Sequence, residues 1–154
     1  TIMRNDMPLL FDEKLKWLVD VDWYISLIYS NSNVVFSKEP LICTVHGGEG
    51  QITQSVFDDK HIQIREHAYL FEKLLPQNIK LKKFSILFQL LFHKYKIDNL
   101  DQLKAIYSFS DKSIPFFNKV LESKNDAIFL KKIVFWLNKK SFNDHLFTLK
   151  TYLK

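Results

Sequence analysis

The segment Phe11 to Tyr29, FDEKLKWLVDVDWYISLIY, constrains the fold more than any other stretch of the chain. It sets two aspartates, Asp20 and Asp22, among large apolar residues where packing alone would favour neither. From Val21 onward, Val21, Tyr24, Ile25 and Ile28 recur at helical spacing, which predicts a buried helical face. Asp20 stands just ahead of that face, in the place of an N-cap, where a carboxylate accepts backbone N–H bonds and the helix dipole favours negative charge. Fringed by Trp17, Trp23 and Tyr24, such a carboxylate is placed to take a proton from a bound hydroxyl. The same letters also suit a plain helix cap with aromatic neighbours.

The order Phe11-Asp12-Glu13, Leu15-Lys16-Trp17, Asp20-Val21-Asp22-Trp23-Tyr24 and Leu27 resembles the acceptor-side motif of family-2 glycosyltransferases of the GT-A type. Further pieces follow in the same order: Glu39-Pro40-Leu41, Val45-His46, Gln51-Ile52-Thr53, Arg65-Glu66-His67 and Tyr69-Leu70. The likeness covers roughly residues 1–75. It implies that Asp20 is the general base toward an acceptor sugar hydroxyl, with Trp17, Asp22, Trp23 and Tyr24 around the acceptor. It also implies that His46 and Gln51 lie by the donor diphosphate, His46 with the divalent cation, Mg or Mn, that the full enzyme would use. Many members carry Glu immediately before the first aspartate, where this chain has Val19.

Asp20-Val21-Asp22 is itself a D-x-D, a pattern the same family uses elsewhere to hold a metal and a nucleotide diphosphate. Here a charged segment precedes it and a helix follows. Residues two apart on a helix point to nearly opposite sides, so the pair is poorly arranged to share one cation. Asp22 is expected to be a structural partner of Asp20.

The 154 residues suit one domain or two closely packed subdomains. Fourteen Phe, six Tyr and three Trp supply ample core, while three Gly and four Pro favour long regular elements over loops. A single cysteine, Cys43, excludes a disulfide framework and a cysteine-based zinc site. Thr1-Ile2-Met3-Arg4 shows no signal peptide, and the chain enters its motif almost at once without a glycine-rich phosphate loop. Together with the resemblance, this reads as the C-terminal portion of a longer enzyme, cytoplasmic and peripheral on the inner face of a membrane. Charge is uneven: residues 1–78 hold 7 Lys and Arg against 11 Asp and Glu, and residues 79–154 hold 15 against 6. An acidic first half and a basic second half imply different partners.

The expected fold is α+β and mostly α. An acceptor-side part of a GT-A-type domain occupies residues 1–75, and a basic helical subdomain occupies 76–154. In the first part, Val34 to Phe36 and Leu41 to His46 read as short strands, the second followed by the Gly47-Gly48-Glu49-Gly50 turn. Asp58-Asp59 caps a helix that runs to about Leu75, with Ile64, Ala68, Phe71 and Leu75 along one side, and Pro76 ends it. On that helix Arg65, Glu66 and His67 read individually as a solvated charge network.

The stretch Ile79 to Ile97 carries five lysines and no acid, with Leu81, Phe84, Phe88, Leu91 and Tyr95 at helical spacing. It suits either a core helix with lysines at its ends or a helix lying on an anionic membrane. The core reading explains the stripe better, because neighbouring helices need something to bury against. Helices then start near Asp98 or Asn99, near Ser113 with Pro115 in the first turn, after Asn125-Asp126, and at Ser141.

Taken together, these features predict an inverting glycosyltransferase portion in polysaccharide biosynthesis. It would move a sugar from a nucleotide-sugar donor to a glycan or lipid-linked acceptor. The alternative is a non-catalytic helical module that binds a membrane or a partner protein. Nucleic acid is not an expected partner, since the basic residues are spread over helices without a recognition motif.

Overall fold

The structure is a computed structural model that describes residues 10–30, 56, 59–77 and 81–123. Over these residues the chain is predominantly helical, and no strand occurs among them. The predicted strands at 34–36 and 41–46, the glycine turn, Cys43 and the helices expected after residue 124 lie outside the described residues. The helices are α1 (Val19–Ser30), α2 (Lys60–Leu74), α3 (Leu81–Tyr95), the short α4 (Leu100–Lys104) and α5 (Ile114–Ser123). Single 3-10 turns follow α2 (Leu75–Gln77) and precede α5 (Asp111–Ser113). The chain divides into two compact units, Thr1–Glu66 and His67–Lys154, so the division falls inside α2.

Local chemistry explains where most of these helices begin and end. The Ile62 N–H donates to Asp59 Oδ1 at 3.0 Å, so Asp59 caps α2. Pro76, which has no N–H to continue the ladder, sits in the 3-10 turn that closes α2. Asn99 accepts the Gln102 N–H at 3.0 Å and caps α4. Pro115 occupies the first turn of α5, where its missing donor costs nothing.

The C-terminus of α3 closes in a Schellman arrangement. The Ile97 N–H donates to the Phe92 carbonyl at 2.9 Å and the Lys96 N–H to the His93 carbonyl at 3.4 Å. Lys96 takes the left-handed conformation (φ 53°) that glycine usually supplies. Ile97 and Phe92, the residues such a motif brings together, are both fully buried.

In the first unit the core gathers Leu15, Leu18, Trp23, Ile25, Val56 and Ile64. Trp23 holds Phe11 at 5.9 Å and Tyr24 at 5.4 Å between ring centroids. The second unit is built around phenylalanine. Phe71 stacks on Phe116 at 4.3 Å and meets Phe84, Phe88 and Phe117 within 5.7 Å. Phe71, Phe88, Phe92 and Phe117 are fully buried. Each contributes about 1.5–3 kcal/mol of burial, and well-oriented ring pairs add about 0.5–1.5 kcal/mol. α5 packs on α3 through this cluster and also contacts α4. The α3 stripe is therefore a core face at Phe88 and Leu91, as expected, whereas Leu81 at its first turn is exposed.

Candidate functional site

α1 begins at Val19, so Asp20 is the second residue of the helix and not its cap. The backbone that leads into this helix is held from about fifty residues away in sequence. Glu66, on α2 and 1% exposed, directs its carboxylate at the backbone just ahead of α1. Its Oε1 accepts the Lys16 N–H at 2.8 Å, and its Oε2 accepts those of Trp17 at 2.8 Å and Leu18 at 2.9 Å. These donors belong to the turn that leads into the helix, the last of them at the residue just before it, and a carboxylate answers them strongly. Arg65 Nη2 also lies 3.3 Å from Glu66 Oε1. The expectation that Glu66 belongs to a solvated charge network is thus overturned: it is buried, and its acceptors are consumed by the chain itself.

The rest of the motif falls into place around this anchor. Asp12 makes a tight turn, its Oδ1 accepting the Lys14 N–H at 3.1 Å and its carbonyl accepting the Leu15 N–H at 3.1 Å. Leu15 and Leu18 then enter the core on either side of the anchored peptides.

The two aspartates part company. Asp22 is 3% exposed and Trp23 is buried beside it, whereas Asp20 is exposed to solvent. Tyr24, one helical turn beyond Asp20, is half-buried, as is Trp17 just before the helix. Of the residues expected at an acceptor site, the structure leaves Asp20, Trp17 and Tyr24 within reach of solvent and commits Asp22 and Trp23 to the interior. His46 and Gln51, expected at the donor diphosphate, lie outside the described residues. Among the described residues no three His, Cys, Asp or Glu side chains come together to hold a metal ion. His46, the residue tied to a cation by resemblance, is not among them.

A second carboxylate on α2 belongs to the other unit and holds a different set of donors. Glu72 Oε1 accepts the Ser110 N–H, the Ser110 hydroxyl and the Ser113 hydroxyl, each at 2.7 Å. Its Oε2 accepts the Tyr107 hydroxyl at 3.0 Å. Burial acts to raise the Glu72 pKa, but the bonds from Ser113, Ser110 and Tyr107 outweigh it and hold the carboxyl below its ordinary value of 4.5. Tyr107 is displaced upward from its ordinary value of 10.0, by burial first and then by its bond to Glu72. This cluster was not foreseen from the sequence, although Ser113 ahead of Pro115 did mark the start of α5.

Compared with protein-family models, with curated protein sequences and with solved structures, the chain matches none.

Proposed function

We propose that this chain is the acceptor-side portion of an inverting glycosyltransferase, with Asp20 as the general base. The supporting observation is the separation of the aspartate pair: Asp20 is exposed in the first turn of α1, while Asp22 is buried. An acceptor hydroxyl resting by Trp17 and Tyr24 gives its proton to Asp20 as its oxygen attacks the anomeric carbon of the donor. The bond from that carbon to the nucleoside diphosphate breaks, the diphosphate leaves with the electron pair, and the configuration inverts. Base catalysis of this kind contributes about 10²–10⁴-fold. A divalent cation would supply charge neutralisation at the leaving diphosphate, and no described residue is assigned to hold it.

The test is Asp20→Asn in the full-length protein. Transfer should fall at least about a hundredfold with nucleotide-sugar affinity little changed, as expected for loss of a general base. Turnover at the wild-type rate removes Asp20 from the mechanism.

A second reading, a helical module docking on an anionic membrane, draws on α3. Leu81 (47% exposed) and Ile86 (38%) are presented to solvent together with Lys82, His93, Lys94 and Lys96. No helix of the described residues is long and apolar enough to cross a membrane, so such docking would be interfacial. Salt-sensitive pelleting with phosphatidylserine vesicles supports this reading, and its absence at low salt removes it.

A further inference from the structure

We infer that Glu66 is the positioning residue of the Asp20 site, an inference that rests on the base reading of Asp20. One buried carboxylate takes the N–H groups of three consecutive residues, Lys16, Trp17 and Leu18, at 2.8–2.9 Å. Three successive peptide planes are thereby fixed against one rigid helix, and the direction in which α1 sets out is fixed with them. Trp17 is one of these anchored residues, and Asp20 follows two residues after the last of them.

The place of the exposed base is therefore set in part by bonds that do not involve its own side chain, which suits a residue that must face an incoming substrate. A shift of about 1 Å in a reacting group costs on the order of 10²-fold in rate, so an anchor of this kind acts on turnover and not only on stability. The requirement is for a carboxylate. A glutamine offers one acceptor oxygen and turns its amide N–H groups toward backbone donors. An aspartate keeps both oxygens but falls one methylene short.

The experiment compares four forms of the full-length protein: wild type, Asp20→Asn, Glu66→Gln and Glu72→Ala. Nucleoside diphosphate release is measured from a panel of UDP- and GDP-sugars with p-nitrophenyl glycosides as acceptors, alongside thermal unfolding and amide hydrogen exchange at residues 16–18. Glu66→Gln should lose about 10–100-fold in kcat with donor KM within twofold of wild type, at a temperature where it is fully folded. Glu72→Ala, destabilised in the other unit, should keep the wild-type kcat at that temperature.

Wild-type kcat in Glu66→Gln, with Asp20→Asn inactive, overturns the positioning role and leaves the base reading standing. Equal kcat losses in Glu66→Gln and Glu72→Ala reduce Glu66 to a stabilising residue and overturn it too. Wild-type turnover by Asp20→Asn, or no release by the wild type, overturns the base reading and this inference with it. The exchange rates at 16–18 still report whether Glu66 holds the backbone. Should Glu66→Gln fail to fold, Glu66→Asp carries the same test: reduced kcat at unchanged donor KM supports the role, and wild-type kcat overturns it.

Discussion

Glu66 and Glu72 stand on the same helix and both hold the start of another, yet they do it with different partners. Glu66 is 1% exposed and takes three backbone N–H groups ahead of α1. Glu72 is only part-buried and takes three hydroxyls and one N–H ahead of α5. The difference decides what each anchor asks of the sequence. Every residue except proline offers an N–H, so the Glu66 anchor constrains almost nothing at positions 16–18. The Glu72 anchor needs a hydroxyl at Tyr107, Ser110 and Ser113, so it is written into side chains on both sides of the contact.

That contrast can be broken most forcefully at Glu66. Glu66→Ala leaves three donors facing a site that held a carboxylate, and unfolding free energy should fall by on the order of 3 kcal/mol. A loss below about 0.5 kcal/mol by urea denaturation would mean that water serves these donors equally well.

A smaller effect is expected at Glu72. Glu72→Ala should cost about 1–2 kcal/mol near neutral pH, discounted because the site is partly open to water. Its pH dependence sharpens the comparison. The folded-state pKa of Glu72 is lowered, so its contribution is present above the ordinary value of 4.5 and lost as pH falls through the folded value. That of Tyr107 is raised, so its contribution is present below 10.0 and lost as pH rises beyond. The stability gap between wild type and Glu72→Ala should therefore narrow in acid, as followed by denaturation across a pH series. A gap constant down to pH 2 would contradict the assignment.

The smallest effect is the most discriminating. Lys16→Ala changes the exposed side chain but keeps the N–H that Glu66 accepts, so stability should move by less than about 0.5 kcal/mol. Ser113→Ala, by contrast, removes a donor that Glu72 uses and should cost about 1 kcal/mol. Equal costs at the two positions would erase the distinction between a backbone-read and a side-chain-read anchor.

The same distinction explains what could be read in advance. The ends of α2, α4 and α5 were legible because Asp59, Asn99, Pro76 and Pro115 act within a residue or two of the boundaries they set. The core face of α3 was legible because its period is local. The start of α1 was not. Asp20 has the letters of a cap, but the backbone leading into the helix is held by Glu66, and no local rule pairs residues 16–18 with residue 66. One signal was available: Gln63, Glu66 and Leu70 fall on one helical face, and all three are buried. An acidic residue at core spacing asks where its charge is answered. Helical geometry predicted that Asp20 and Asp22 point to different sides of α1, and one is exposed while the other is buried.

Amide hydrogen exchange at Lys16, Trp17 and Leu18, in wild type and in Glu66→Gln, bears most directly on whether one distant carboxylate sets the start of α1. The three amides should be protected together in the wild type and should all exchange at least about tenfold faster in the variant, with α3 and α5 unchanged. Exchange at the rate of free loop amides in the wild type, or protection that survives loss of the carboxylate, would contradict it.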